Sequence, residues 1–561
     1  MADREISIEI KRPELIVLLA FLILIFYFEI QVTLNSPIAF GDEGFHTFLA
    51  RWIGTKIEYP MFIPQHGGAL FEEGFVRPPM WNVLEGSFYF IFGFSDVIVK
   101  LLAPFIAFMT AISSYLLVKK VFSERVAIIT SAILVTIPSY VTYSILFYVD
   151  ILLVFWFNLA FLTFLIFAKT QNKKYFIMSS LFTSFAILTK QQGFILVIFY
   201  ALYFVYQFYK KADLANFYSL LRTYFPPMVL LLIVISGWII RNGYYFGAWL
   251  YEGPFPFWQG KTLFVGNYTN VNSFSGDTSG GGTEINLLNF GIINYLSFAY
   301  GYIWFVPLLF ILGLSFLLFR RGQFDLMMIL MLISGLIILN TVLKSRSEDA
   351  ARHILFAVPV VGLIASIYLD QLSEFVKKVQ KYFPYLVLLA VFLISFYTSQ
   401  GKLSDARHYE PALSSACTPS NPSCYVGFKM FSQDFFQACD WVKKNPNQVP
   451  PDSILLSLNS HPTVYNCERS AFWDFPDLPD ILLGDVNLSA SRLKAEGITH
   501  IFVQKFALST QNLRLSYPVN FVRMMDQNNQ TFVKIYENGP SINACISSGG
   551  CDGTIIYRFV G

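Results

Sequence analysis

Long apolar runs recur through the first 400 residues of the chain. A helix rises 1.5 Å per residue, so about 20 apolar residues cross a hydrocarbon core of about 30 Å. The chain contains about eleven runs of roughly this length, which predict a polytopic α-helical membrane protein. The first run is too long for a signal-peptide core and is expected to remain as a helix. The runs lie near 14–34, 97–118, 125–146, 150–168, 175–189, 193–209, 224–243, 291–319, 324–343, 353–371 and 383–399.

Basic residues collect in alternate loops between these runs, and cytoplasmic loops are the ones enriched in Lys and Arg. This pattern predicts a cytoplasmic N-terminus in the cell membrane. With an odd number of spans, everything after residue 400 is then extracytoplasmic. The basic clusters are Lys11-Arg12, Lys119-Lys120 with Arg125, Lys173-Lys174, Lys210-Lys211 with Arg222, Arg320-Arg321, and Lys377-Lys378 with Lys381.

Three segments on the predicted outer side are too long to be turns: 35–96, 244–290 and 400–561. The first is expected to hold interfacial helices, and the Gly-rich second to form a loop over a site. The chain therefore divides into a transmembrane domain (1–399) and a C-terminal extracytoplasmic α/β domain (400–561). The strand-like runs of this domain are Ser453–Leu458, His500–Gln504 and Thr531–Tyr536, between helical stretches at 432–444 and 489–496.

The composition agrees with lipid as the solvent. Hydrophobic residues make up 55% of the chain and charged residues 14%, a balance that a water-soluble chain of this length does not keep in solution. The net charge of +3 is spread over the loops and not gathered in one stripe, so no nucleic-acid partner is expected.

All cysteines lie beyond the last apolar run, which points to disulfides in an oxidising compartment. The sequence contains no CxxC spacing, which would have favoured a metal site over disulfides. Six cysteines allow fifteen pairings, and loop length alone favours Cys417 with Cys424 and Cys545 with Cys551. The six candidates are Cys417, Cys424, Cys439, Cys467, Cys545 and Cys551.

Two acidic residues, Asp42 and Glu43, follow the first apolar run and open an amphipathic stretch that reaches Ile57. Adjacent side chains on a helix point about 100° apart, so one can face a cavity while the other braces the structure. Spacing alone equally allows a charged first turn of an interfacial helix. Further along, Arg77 precedes Pro78-Pro79, which fixes the backbone and presents a guanidinium suited to phosphate.

More ionisable residues stand at the outer ends of predicted spans. Any one of these charges is explained by snorkelling to the membrane surface. Together, however, they share the membrane face of Asp42 and Arg77. They are Asp150, Lys190, Arg241 and the pair Arg352-His353.

This ordered set resembles the GT-C superfamily of polyprenyl-phosphate-dependent glycosyltransferases, in the branch of the protein O-mannosyltransferases and the lipid A aminoarabinose transferases. The resemblance covers most of the chain. One departure is Arg in place of the Lys common in the aminoarabinose branch. The matching elements are Asp42-Glu43, Arg77-Pro78-Pro79, Asp150 in Tyr148–Leu152, Thr189-Lys190-Gln191-Gln192-Gly193, Trp238–Asn242 with Arg241, and Arg352-His353.

The resemblance implies an inverting transfer of a hexose, such as mannose, from a polyprenyl phosphate, either dolichyl or undecaprenyl, to an acceptor hydroxyl on a protein, glycan or lipid. Asp42 is the expected base, with Glu43 the second choice. No cofactor is required. A divalent metal is compatible with the scheme, and its ligands would be Asp42 and Asp150. The expected phosphate ligands are Arg77, Lys190, Arg241 and Arg352, and the residues shaping the site are His46, Asp150 and His353.

Two alternatives stay open. An oligosaccharyltransferase would transfer a whole glycan and carry a Trp-Trp-Asp motif in the tail, of which Trp473-Asp474 is a faint echo. A non-catalytic carrier or flippase for lipid-linked sugars would use the same cations without needing Asp42. The absence of a visible internal repeat counts against the carrier.

Overall fold

The structure is a computed structural model. It describes residues 13–35, 38, 41–60, 77–210, 213–246, 305–320, 322–342, 355–377, 385–387, 389–394, 397, 433–458, 460–472, 478–483, 485–505, 508–509, 517–547, 551 and 553–561.

Helices make up the described part of the first 400 residues. Each of the predicted spans contains described helical residues, although the spans 97–118 and 125–146 each cover two helices. In chain order the helices are α1 (Pro13–Asn35), α2 (Gly41–Lys56), α3 (Met80–Phe92), α4 (Asp96–Lys100), α5 (Leu102–Val121), α6 (Glu124–Leu134), α7 (Pro138–Ile145), α8 (Val149–Thr170), α9 (Lys173–Thr189), α10 (Phe194–Lys210), α11 (Leu214–Phe246), α12 (Phe305–Arg320), α13 (Gln323–Val342) and α14 (Val358–Lys377).

Six described helical stretches are long and apolar enough to cross a membrane. The helices α6 and α7 form a seventh candidate, bent by 66°. The bend begins just before Pro138, whose missing N–H cannot continue a helix. Shorter apolar helices occur at Val306–Arg320, Gln323–Leu336 and Tyr385–Ile394. The chain is therefore a multi-pass membrane protein, as the apolar pattern predicts.

Several of the predicted cytoplasmic loops meet at one end of the helix bundle, here called the basic end. Lys169 at the end of α8 donates to the Lys120 carbonyl at 2.9 Å, and Arg125 pairs with Asp370 of α14. Asp150 lies at the opposite end of α8, about 30 Å away at 1.5 Å per residue. That opposite end is here called the site end.

The segment 35–96, predicted to lie outside and here called the first outer segment, contains two helices, α2 and α3, that run parallel. His46 contacts Asn82, and a Cβ on Gly54 would lie 2.8 Å from the Gly86 carbonyl oxygen. Glycine is required at both Gly54 and Gly86 because the two backbones approach too closely for a side chain. The close crossing aligns the polar faces of both helices.

The described part of the tail is a five-stranded sheet of order β2-β1-β3-β7-β6, with the first three strands parallel and β7 antiparallel to β3 and β6. A short parallel pair, β4 with β5, stands apart. The strands are β1 (Ile454–Leu456), β2 (Ser470–Phe472), β3 (His500–Gln504), β4 (Leu508–Ser509), β5 (Tyr517–Pro518), β6 (Phe532–Glu537) and β7 (Thr554–Phe559). The helices are α15 (Gln433–Lys444), α16 (Ser460–Cys467), α17 (Leu478–Leu483), α18 (Val486–Ala495), α19 (Val519–Gln527) and α20 (Ile542–Ser547).

Alternate side chains of the central strand β3 enter two separate cores. Ile501 and Val503 pack with α17, α18 and α19, whereas Phe502 packs with α15 and α16. This period of two places helices on both faces of the sheet. The tail is thus a three-layer α/β unit, in agreement with the predicted fold class.

Two disulfides lie within the described part of the tail. Cys545 is bonded to Cys551, the pairing that loop length favours. Cys439 is bonded to Cys467 and joins α15 to α16. Cys417 and Cys424 lie outside the described residues, so their predicted pairing stays a prediction.

The tail rests on the first outer segment through α16. The Tyr465 hydroxyl donates to Asp96 at 2.6 Å, and the Asn466 amide donates to the Ile38 carbonyl at 3.1 Å. Phe48 of α2 packs against the core under α15 and α16. The helix that carries Asp42 therefore has the tail domain as part of its support.

Lys505 provides a test of the tail fold. Its ammonium is fully buried and donates to Glu537 and to the Asn538 carbonyl, each at 2.8 Å. Lys505→Met removes the buried donor to the Glu537 carboxylate and the Asn538 carbonyl, while Glu537 keeps its contact with Lys534, so we expect the tail to lose about 1–3 kcal/mol of stability. The measurement is resistance of the tail to proteolysis on heating. In the exposed pair of Lys443 with Asp440, Lys443→Met should change stability by less than about 0.5 kcal/mol. If the two substitutions lowered the stability of the tail equally, the buried Lys505 would contribute no more to it than the exposed Lys443.

Candidate active site

The acidic pair stands in the first turn of α2. The structure describes the backbone of Asp42 there, while its side chain lies outside the described residues. Glu43 is 5% exposed, and its Oε1 accepts a hydrogen bond from the Phe147 backbone N–H at 2.7 Å. Phe147 belongs to the loop between α7 and α8. Glu43 therefore ties α2 to the loop that leads to Asp150.

A row of hydrogen bonds extends from α2 across α3. His46 Nδ1 lies 2.7 Å from Asn82 Oδ1, and Asn82 Nδ2 donates to the Tyr59 hydroxyl at 3.1 Å. His46 and Asn82 are both buried. The His46 ring also meets Tyr148 edge-on at 6.1 Å between ring centroids. The row joins the interior of the α2–α3 crossing to the half-buried Tyr59.

Arg241, near the end of α11, is fixed beside Tyr59. Its guanidinium carbon lies 5.1 Å from the Tyr59 ring centroid and 4.4 Å from that of Trp238. One nitrogen donates to the Pro60 carbonyl at 2.9 Å. Stacking and hydrogen bonding hold the planar group in one orientation, which suits it to a phosphate or carboxylate.

Arg77 is half-buried just before Pro78-Pro79 and lies near the same tyrosine. Burial raises the pKa of Tyr59 to about 12, while the Asn82 hydrogen bond and the charges of Arg241 and Arg77 act to lower this pKa. The phenol therefore keeps its proton at neutral pH. The structure thus brings together Arg77 and Arg241, which are 164 positions apart in sequence, around Tyr59.

Asp150 and Lys190 form an ion pair at 2.6 Å, with the Asp150 side chain 1% exposed. Lys190 caps the C-terminal end of α9, and the next three residues form a 3-10 turn. A Cβ on Gly193 would lie 2.4 Å from the Ile187 nitrogen, so only glycine lets this turn fold back on α9. This explains the Thr-Lys-X-X-Gly spacing: the turn holds the Lys190 ammonium over Asp150.

Of the other predicted site residues, Arg352 and His353 lie outside the described residues, as does most of the predicted loop 244–290. The described residues contain no group of three or more His, Cys, Asp or Glu side chains able to hold a metal ion. The role of a divalent metal with Asp42 and Asp150 stays a prediction.

Three polar residues with buried partners were not predicted from the sequence. Asn82 and Tyr59 complete the hydrogen-bond row described above. Glu29, within the first span, accepts a hydrogen bond from Ser144 of α7 at 2.5 Å. A carboxylate in an apolar run is a detectable signal. The single Asn and Tyr carried no such signal.

A second acidic residue, Glu85, lies between α2 and α3. Both of its carboxyl oxygens are fully buried, beside the Thr47 hydroxyl and the Trp81 indole N–H, whose hydrogen bonds act to lower its pKa. Burial raises the pKa of Glu85 well above 4.5, and the nearby charges of Glu43 and Asp96 raise this pKa further. The raised pKa favours the neutral acid of Glu85 over its carboxylate.

Part of the chain that holds these residues is similar to a known protein family. Residues 76–240 match the family described as dolichyl-phosphate-mannose-protein mannosyltransferase. This match begins next to Arg77 and includes Asp150, Lys190 and Trp238. No curated protein shows significant sequence similarity to the chain.

Solved structures share the fold over nearly the whole chain. ArnT from Cupriavidus metallidurans bound to undecaprenyl phosphate gives a TM-score of 0.60 at 12% identity, over 98% of each chain. The apo oligosaccharyltransferase of Archaeoglobus fulgidus gives 0.60 at 12% identity, over 97% of this chain and 74% of that one. AglB of the same organism, in complex with an inhibitory peptide and a dolichol-phosphate, gives 0.57 at 12% identity, over 93% and 73%. The chain therefore shares the GT-C fold of these structures, which confirms the predicted fold class.

The neutral state of Glu85 predicts a pH dependence of stability. The folded chain keeps a proton that the unfolded chain releases above about pH 4.5, so this group makes stability fall as the pH rises from there. Glu85→Gln mimics the neutral acid and should flatten the fall of the thermal midpoint between about pH 5 and 8. The matched control Asp452→Asn, on an exposed turn, should keep the slope of the unmodified protein. An unchanged slope in Glu85→Gln would show that Glu85 is ionised in the folded chain.

Proposed function

We propose that the chain is an inverting membrane glycosyltransferase. It moves a hexose from a polyprenyl phosphate to an acceptor hydroxyl on the extracytoplasmic side. The observation that carries the proposal is the meeting, at one end of the bundle, of an acidic helix start with two guanidiniums. General glycosyl transfer is also supported by the fold and by the family match over 76–240.

The acidic and the basic groups of the site have different roles: a carboxylate activates the acceptor, and the cations hold the leaving group. A sugar phosphodiester already carries a good leaving group, so the enzyme needs a base for the acceptor and cations for the departing phosphate. Arg241 and Arg77 supply the cations around Tyr59. The acceptor oxygen forms a bond to the anomeric carbon as the bond to the phosphate oxygen breaks. The base takes the hydroxyl proton, and the anomeric centre inverts.

Asp42 is the better candidate for the base. Glu43 is buried and already accepts the Phe147 N–H, so it braces the loop before α8. Adjacent positions on a helix project about 100° apart, so we propose that Asp42 faces the reacting groups. We assign Asp42 as the base and Glu43 as its structural support.

Lys190 and Asp150 act as a pair in this proposal. The Asp150 carboxylate neutralises Lys190 in the structure, so a bound phosphate would have to share the ammonium with Asp150. Arg352 and His353 keep their proposed roles beside the phosphate. The scheme contains no step through a metal ion.

The neighbours in fold suggest the donor and the range of acceptors. ArnT is bound to undecaprenyl phosphate, and AglB to dolichol-phosphate and a peptide. A lipid phosphate is therefore the proposed donor carrier. Oligosaccharyl transfer is the second candidate, because the Archaeoglobus fulgidus enzyme shares the fold. A carrier or flippase would bind the same lipid without transfer.

The role of Asp42 is tested by Asp42→Asn. Loss of the base should lower sugar transfer by about 100- to 10,000-fold, whereas polyprenyl-phosphate binding should persist. The measurement is radiolabelled sugar transfer from dolichyl- and undecaprenyl-phosphate donors to a membrane-extract acceptor pool. The control Asp213→Asn, in an exposed position just before α11, should leave transfer unchanged. Wild-type transfer by Asp42→Asn would place the base elsewhere, and lipid binding without transfer by the unmodified protein would favour a carrier.

The role of Arg241 in phosphate binding is tested against a control arginine on the same helix. Arg241→Met removes a charged hydrogen-bond donor, so the Kd for the lipid phosphate should rise roughly 10- to 100-fold. Arg222→Met removes an exposed charge from the other half of α11 and should leave this Kd unchanged. The measurement is direct binding of labelled polyprenyl phosphate to the full chain in detergent. If both variants bind as the unmodified protein does, Arg241 is not a phosphate ligand.

A further inference from the structure

Tyr59 lies at the centre of the cationic site, although it belongs to none of the motifs in the sequence. Its ring lies against Trp238 at 5.0 Å between centroids and 5.1 Å from the Arg241 guanidinium carbon. The next residue, Pro60, accepts a hydrogen bond from Arg241. The phenol and Arg241 are therefore held as one unit.

The hydrogen-bond row fixes what the Tyr59 hydroxyl can do. Asn82 Oδ1 faces His46, so Asn82 Nδ2 donates to the Tyr59 oxygen. That oxygen acts as an acceptor in this bond, which leaves the phenolic proton for a different partner. In the described part of the chain no acceptor for this proton is recorded. Burial raises the Tyr59 pKa to about 12, so the proton is present at neutral pH.

The surroundings of this hydroxyl favour an anionic partner. Arg241 and Arg77 both lie close enough to Tyr59 for their charges to lower its pKa. Hydrogen bonds from neutral donors to a charged oxygen are shorter and stronger than those between neutral groups. A phosphate oxygen between the two guanidiniums would therefore complete the bonding of Tyr59.

We propose that Tyr59 donates a hydrogen bond to a non-bridging oxygen of the donor lipid phosphate, beside Arg241 and Arg77. The buried His46–Asn82 pair directs this bond, which makes His46 and Asn82 positioning residues. The inference rests on the proposed function, since it takes the anion to be the phosphate of a polyprenyl lipid.

The test compares binding of undecaprenyl phosphate and undecaprenol to the full chain in detergent. Tyr59→Phe keeps the ring beside Arg241 and removes only the hydroxyl. The Kd for the phosphate lipid should rise roughly 10- to 100-fold, and the Kd for the alcohol should stay the same. Tyr209→Phe, on a tyrosine that is 83% exposed, is the matched control and should change neither. Equal weakening for both lipids would indicate a merely structural role and would overturn the proposal, as would unchanged phosphate binding.

Asn82→Asp tests the positioning role. A carboxylate there can only accept, so the Tyr59 hydroxyl should turn toward it and away from the phosphate. Phosphate binding should weaken selectively, and adding Tyr59→Phe to Asn82→Asp should cause no further loss. Additive losses would show that Asn82 does not act through Tyr59 and would overturn its assigned role.

The outcomes separate this inference from the proposed function. Selective loss of phosphate binding in Tyr59→Phe, with no sugar transfer by the unmodified protein, would support the phosphate site and reject the glycosyltransferase. Sugar transfer by the unmodified protein, with full donor affinity in Tyr59→Phe, would support the enzyme and reject the role of Tyr59.

Discussion

A polar group inside the helical half must find its partner within the protein, because the surrounding hydrocarbon offers none. The structure meets this constraint for its charged side chains by placing the described ion pairs of the helical half near the two ends of the bundle. At the basic end Arg125 meets Asp370. At the site end Lys190 meets Asp150, and Glu43 accepts the Phe147 N–H. These contacts fix the loop before α8 and the turn after α9. The residues proposed for the active site therefore lie at helix ends that are held rigidly.

The sequence was most informative where a local pattern determines the structure. Apolar length predicted the spans, and the strand His500–Gln504 was predicted with its observed bounds. That strand contains the continuous apolar run Ile501-Phe502-Val503, because helices bury both of its faces. The helices α6 and α7 were predicted as one continuous span. Apart from Pro138, their apolar run contains no sign of the 66° bend.

The contacts within the site could not be read in the same way. Tyr59 and Arg241 are far apart in sequence and carry no mutual signal, and the pairing of Asp150 with Lys190 depends on how α8 and α9 pack. Of the ionisable residues in the motifs, Glu43, Asp150 and Lys190 are described at the site end of the bundle. They could not show that Glu43 is occupied by a backbone N–H or that Asn82 directs a tyrosine. Such roles depend on the close crossing of α2 and α3, which the glycines Gly54 and Gly86 permit.

The contact of α16 with the first outer segment has a consequence for the order of biogenesis. Tyr465 reaches Asp96 across 369 positions, and Asn466 reaches Ile38 across 428. A ribosome releases the early helices long before it makes these partners, and domains generally fold as units during synthesis. The α2 helix therefore waits for its final contacts until the tail has been synthesised, has folded and has joined Cys439 to Cys467. Assembly of the site is in this way one of the last steps in maturation of the chain.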